Sequence, residues 1–158
     1  MQPVATLVLR GLIVVLIALL IFVQVLLIPA VAAETAARNP DLGYLEVPGI
    51  VGAVLFLLLV EVVLVCVFVL LSLVRTDRIF SPRAFRYVDV IIGTMLASAV
   101  LLIASFIVLS LGRAVSPGIL VLAVFGIVVS FSLALLVGVM RGLLRKALQL
   151  EQDLSEVV

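Results

Sequence analysis

Residues 47–74 read VPGIVGAVLFLLLVEVVLVCVFVLLSLV, 28 positions in which Glu61 is the one acidic or basic side chain. A helix rises about 1.5 Å per residue, so about 20 apolar residues cross a hydrocarbon layer of ~30 Å. This stretch is long enough to span a membrane as a single helix. Three further runs read the same way, Gly11–Ala33, Val90–Gly112 and Ala114–Met140, and none of them contains an acidic or basic residue. The sequence therefore predicts an all-α integral membrane four-helix bundle. Its spans fall at about 8–33, 47–74, 87–112 and 117–140, with a cytoplasmic tail over 141–158.

Composition narrows the function. With 66% hydrophobic and 12% charged residues in 158, nothing is left over for a soluble domain, and one membrane domain over 1–158 is expected. A formal net charge of +1 gives no electrostatic case for direct nucleic-acid binding. The chain has no histidine, which removes histidine-held haem, histidine-based zinc sites and histidine-dependent triads. Its single cysteine, Cys66, lies inside the second run and has no intramolecular partner for a disulfide. No metal and no cofactor are expected. Arg10, an apolar stretch and Ala30-Val31-Ala32-Ala33 before Glu34 have the layout of a secretory signal. The apolar core of a signal peptide runs about 7–15 residues, however, and this one is long enough to span, so it is read as a retained helix.

Basic residues set the orientation. Arg10, Arg75, Arg78, Arg83, Arg86, Arg141, Arg145 and Lys146 fall on one side, against Arg38 and Arg113 on the other. Eight against two predicts both termini in the cytoplasm of a multi-pass plasma-membrane protein. On the outer side, Glu34–Glu46 reads as a loop, with turn signals at Asn39-Pro40-Asp41 and Leu42-Gly43. Pro48 suits the first turn of the second span. Residues 112–118 are too few for anything but a hairpin connection.

The inner loop carries the most structured polar sequence. Ser81 reads as an N-cap and Pro82 as the first helical residue. Phe80 and Phe85 take the positions of a hydrophobic staple, and Arg86 precedes Asp89 by three residues as a helix-surface pair. Arg78, Phe80, Ser81, Arg83, Phe85 and Arg86 are thus candidate contacts for a cytoplasmic partner or anionic lipid. A well-capped helix start anchored by positive-inside arginines is the plainer reading of the same residues.

Arg78-Ile79-Phe80-Ser81-Pro82, followed by Ala84-Phe85-Arg86-Tyr87-Val88-Asp89-Val90-Ile91-Ile92-Gly93, resembles a bacterial family of small four-span proteins, domain of unknown function 2975. The chain looks like the actinobacterial branch of that family. Gln24-Val25-Leu26-Leu27-Ile28-Pro29 and Val139-Met140-Arg141-Gly142-Leu143-Leu144 extend the resemblance over the whole chain. Members often look encoded beside a small Cro-like helix-turn-helix regulator, which implies a membrane-bound regulatory role with that regulator as partner. The family supplies no catalytic residue.

Two patterns within the spans stand out. Glu61 lies at the midpoint of its run, where a charge costs about 2.5–3.5 kcal/mol on insertion scales. Gln24, Ser98 and Ser130 lie close to the middle of theirs, so these four side chains form a candidate mid-membrane polar layer. Such a layer suits a proton or ligand site, or a neutral Glu61 hydrogen-bonded to Gln24 or a serine as interhelical glue. The second pattern is Gly126, Ser130, Ala134, Gly138 and Gly142, a small residue at every fourth position, on which another helix can lie closely, inside the bundle or in a second copy. Past Met140 the helical pattern continues. Leu143, Ala147, Leu150, Leu154 and Val157 alternate steps of four and three, as in a coiled-coil seam or an amphipathic helix.

An enzyme needs clustered nucleophiles, metal ligands or acid–base pairs, and this sequence offers none. Transport favours broken helices and several polar residues along a path. Pro29, Pro48 and Pro117 read as lying near helix ends, so unbroken spans are expected. The sequence is best read as a non-enzymatic regulatory or accessory membrane protein. The alternative is a small transporter or proton-coupled protein using Glu61.

Overall fold

In lipid every backbone N–H and C=O must find a partner within the chain, and a helix achieves this with local bonds alone. The four apolar runs accordingly fold as long helices. The computed structural model describes residues 3–75, 82–113 and 117–156. The first rod comprises α1 (Pro3–Phe22), a π-helical segment (Val23–Leu27) and α2 (Ile28–Arg38). A short 3-10 stretch, Pro40–Leu45, leads into α3 (Glu46–Arg75), which is followed by α4 (Pro82–Leu111) and α5 (Pro117–Glu156). Four helical stretches are long and apolar enough to cross a membrane: Val4–Arg38, Pro40–Leu73, Ala84–Leu111 and Pro117–Leu150. The protein is an all-helical membrane protein.

Three prolines sit where a missing N–H does no harm. Pro48 lies in the first turn of α3, and α4 and α5 are described from Pro82 and Pro117. Pro29 departs from the expectation that it would lie near a helix end. The first rod runs nine residues beyond it to Arg38, and the turn before it is wound as a π-helix. A proline inside a helix clashes with the preceding turn and lacks a donor. Here the wider turn accommodates it, so the first span is continuous but irregular at its middle.

The expected outer loop, 34–46, is also largely helical. Glu34 pairs with Arg38 one turn later, and Thr35 Oγ1 donates to Val31 O at 2.7 Å. The helix closes where the Asn39 N–H donates to Thr35 O at 3.0 Å. Hydropathy marks where the chain leaves lipid, and local polar pairs carry the helix past that point. At the same end of the molecule α4 stops with Arg113 in the left-handed region, φ 53°, its N–H donating to Ser110 O at 3.1 Å.

The rods pack in chain order: α1 and α2 lie against α3, α3 against α4, and α4 against α5. Among the described residues α5 makes no comparable contact with α1, so the four spans lie side by side in chain order as an open row. Burial reflects this. The core is narrow and lined by Ile13, Cys66, Ala84, Ile91, Ala99 and Ala134, and no large side chain in the described residues is fully enclosed. Lipid tails solvate leucine and valine as well as another helix does, so no hydrophobic force closes the row. Small residues and polar contacts decide which helices touch.

Candidate functional site

The mid-membrane layer separates into two pairs. Gln24 sits in the π-helical segment, and its Nε2 donates to Glu61 Oε1 of α3 at 2.7 Å. Both side chains are half-buried. Ser98 of α4 and Ser130 of α5 are each 8% exposed, with their hydroxyls 3.3 Å apart, and Ser98 Oγ also lies 2.7 Å from Met95 O. The four side chains are therefore brought together two by two. One pair joins the first rod to α3 and the other joins α4 to α5.

The π segment gives the Gln24 pair its special character. The Ile28 N–H donates to Val23 O, five residues back. Ile28 is the residue that would serve the Gln24 carbonyl in α-helical register, and Pro29 is the one that would serve it in π register. Ile28 is committed elsewhere and proline has no N–H. Neither register thus offers the main-chain oxygen of Gln24 an uncommitted N–H, on the residue whose side chain holds Glu61. A single π turn inside an α-helix is frequent at functional sites.

The small-residue stripe of α5 divides along its length. A Cβ on Gly126 would lie 3.1 Å from Leu102 Cδ1 of α4, and Ser130 and Ala134 are buried. Gly138 and Gly142 face open space. The first half of the stripe is the α4–α5 interface, and the second half is free among the described residues. Beside it α3, α4 and α5 enclose an apolar cleft of about 260 Å³, with Phe56 and Phe125 on its walls and Ser98 and Ser130 within its lining.

At the end where α1 starts and α3 finishes, three contacts clasp neighbouring helices. The Arg10 guanidinium lies over the Phe68 ring at 5.1 Å, and Arg145 over Phe85 at 5.7 Å. Arg141 Nη2 donates to Asp89 Oδ2 at 2.7 Å. Asp89 is thus held across the α4–α5 interface, and the expected pairing with Arg86 on its own helix gives way to it. Arg86 is exposed. Of the other predicted contact residues, Phe85 is half-buried beneath Arg145. Arg78, Phe80 and Ser81 lie outside the described residues, as does the side chain of Arg83, and with them the expected cap and staple. At the far end Tyr44 Oη donates to Gly112 O at 2.9 Å, tying the start of α3 to the end of α4.

Sequence reasoning missed the π turn and the three clasps. A proline five positions after the one amide side chain of the first run was the available signal for the turn. For the clasps it was the placement of arginines and phenylalanines at matching ends of antiparallel neighbours.

The family model described as "Protein of unknown function (DUF2975)" matches residues 30–158. No curated protein and no solved structure matches the chain.

Proposed function

We propose that this chain, which belongs to the DUF2975 family, is a non-enzymatic regulatory or accessory protein of the plasma membrane whose termini both lie in the cytoplasm. One observation carries the reading: α5 is a continuous helix of 40 residues, about 60 Å long, roughly twice what the hydrocarbon layer requires. Arg141, Arg145 and Lys146 mark where it leaves the headgroup region by the positive-inside rule. Leu143 and Leu150 on the emerging part are 64% and 56% exposed, an apolar stripe with no partner among the described residues. An amphipathic arm of this kind recruits a partner in the cytoplasm. The family resemblance points to a small helix-turn-helix regulator as that partner, with the inner loop around Arg83 and Arg86 as the second contact. The open row also leaves Gly138 and Gly142 available to a second copy.

The test is coexpression with a small helix-turn-helix regulator of the kind the family resemblance implies, taken from beside the gene, followed by purification in mild detergent. The regulator should copurify with the intact chain and be lost when residues 148–158 are deleted or Arg83 and Arg86 are changed to Ala. Retention of the regulator by the deleted and substituted forms would remove the arm and loop from the account.

A second reading, a small transporter or proton-coupled protein using Glu61, is favoured by the π turn at Gln24. Interrupted helices at mid-membrane are where such proteins bind their coupling ions.

A further inference from the structure

We infer that the emerging part of α5 pairs with the same part of a second copy of this chain, in parallel and in register, as a two-stranded coiled coil. The inference rests on the reading above that this arm enters the cytoplasm, and it names what covers the arm's apolar stripe. Met140, Leu143, Ala147, Leu150, Leu154 and Val157 follow one another at alternating steps of three and four. Such spacing sets apolar residues along one seam of a helix that winds about a like partner. α5 is helical without a break through Glu156, and Met140, Leu143, Ala147 and Leu150 are all exposed. The opposite side of the arm is already occupied. Arg141 holds Asp89 of α4, Arg145 lies over Phe85, and Leu144 and Leu148 are half-buried. At 3.6 residues per turn, Arg141, Leu144 and Leu148 lie roughly a third of a turn from Leu143, Ala147 and Leu150, so α4 and a second copy use different faces. Gly138 and Gly142 also fall off the seam, and the pairing does not depend on the small-residue stripe.

Charge complementarity selects the occupant. With Leu143, Leu150 and Val157 at heptad position d and Met140, Ala147 and Leu154 at a, Lys146 takes a g position and Glu151 the following e position. In a parallel pair these positions of opposite chains are neighbours across the seam, so each dimer gains two Lys146–Glu151 pairs. The other charged g residue, Asp153, is matched with Val158, so the register sets no like charges against each other. Copies inserted with one topology present their arms in the same direction, as a parallel pair requires. Confinement to the bilayer raises the effective concentration of the arms and offsets the shortness of the seam. A cytoplasmic regulator then meets the outer surface of paired arms.

The experiment expresses the full-length chain without any regulator, in a Cys66→Ala background, and oxidises isolated membranes with copper phenanthroline. Leu150→Cys, on the seam, should give a disulfide-linked dimer on a non-reducing gel, and Gln149→Cys, off it, should stay largely monomeric. With Leu150→Cys present, Lys146→Glu or Glu151→Lys alone should cut the linked fraction severalfold, and the two together should restore it. A monomeric Leu150→Cys protein, equal linking through Gln149→Cys, or no restoration in the doubly reversed chain would overturn the pairing and leave the stripe to the leaflet surface or to a regulator. The outcome is separable from the copurification test. Arms that fail to link while the regulator still copurifies remove the dimer alone, and linked arms without a copurifying regulator remove recruitment alone.

Discussion

Gly112 shows how one atom can fix a residue. A Cβ at this position would stand 2.5 Å from Tyr44 Oη, inside any tolerable contact, and 3.1 Å from Leu45 Cδ1. The glycine lets the tyrosine hydroxyl come in close to hydrogen-bond its carbonyl, and a Cβ there would push the exposed tyrosine aside. Gly112→Ala should therefore displace Tyr44 and lower the unfolding midpoint in detergent, whereas Tyr44→Phe, which loses only the exposed hydrogen bond, should cost roughly 0.5 kcal/mol. Equal loss in the two variants would show that the close approach carries no weight. Sequence alone could not reveal this contact, because the partner of Tyr44 is distant in the chain and offers only backbone. Glu61 was legible for the opposite reason. An acid in the middle of an apolar run is conspicuous, and an amide in the neighbouring span is its natural partner. The pairing of Ser98 with Ser130 follows from matched depth in adjacent antiparallel helices, but sequence could not separate it from the Glu61 pair.

Among the elements, α5 carries the clearest contrast. Its small-residue stripe was plain in the sequence, yet periodicity cannot say which part of a stripe meets a neighbour. Gly126 packs on Leu102, while Gly138 faces open space. Gly126→Leu should overpack the α4–α5 interface at a cost of about 1–3 kcal/mol. Gly138→Leu should leave the stability of the single chain unchanged or raise it, since leucine is the better helix former. Matching losses in thermal stability would refute this division of the stripe. The first rod teaches a related lesson. Hydropathy located the span and misjudged the helix, because Pro29 was read as an end signal and the polar residues after Ala33 as a loop. Pro29 is carried within the helix by a π turn, and the Glu34–Arg38 and Thr35–Val31 pairs extend α2 beyond the apolar run. Both features rest on local backbone chemistry that a hydropathy average removes.

At the scale of the whole molecule, four spans were legible because their length and lack of charge leave no alternative. Their arrangement was not, because in lipid an open row and a closed bundle expose equally acceptable apolar surface. The functional account depends on which side of the membrane the α5 arm occupies, and that rests on the eight-to-two distribution of basic residues. Its most direct test is labelling of intact cells with a membrane-impermeant thiol reagent, using single cysteines in a Cys66→Ala background. Cysteines replacing Asp41 and Arg113 should react from outside, and cysteines replacing Arg86 and Lys146 should react only after the cells are opened. Labelling of the Arg86 and Lys146 positions on intact cells, with protection of Asp41 and Arg113, would place the arm outside the cell and contradict the account.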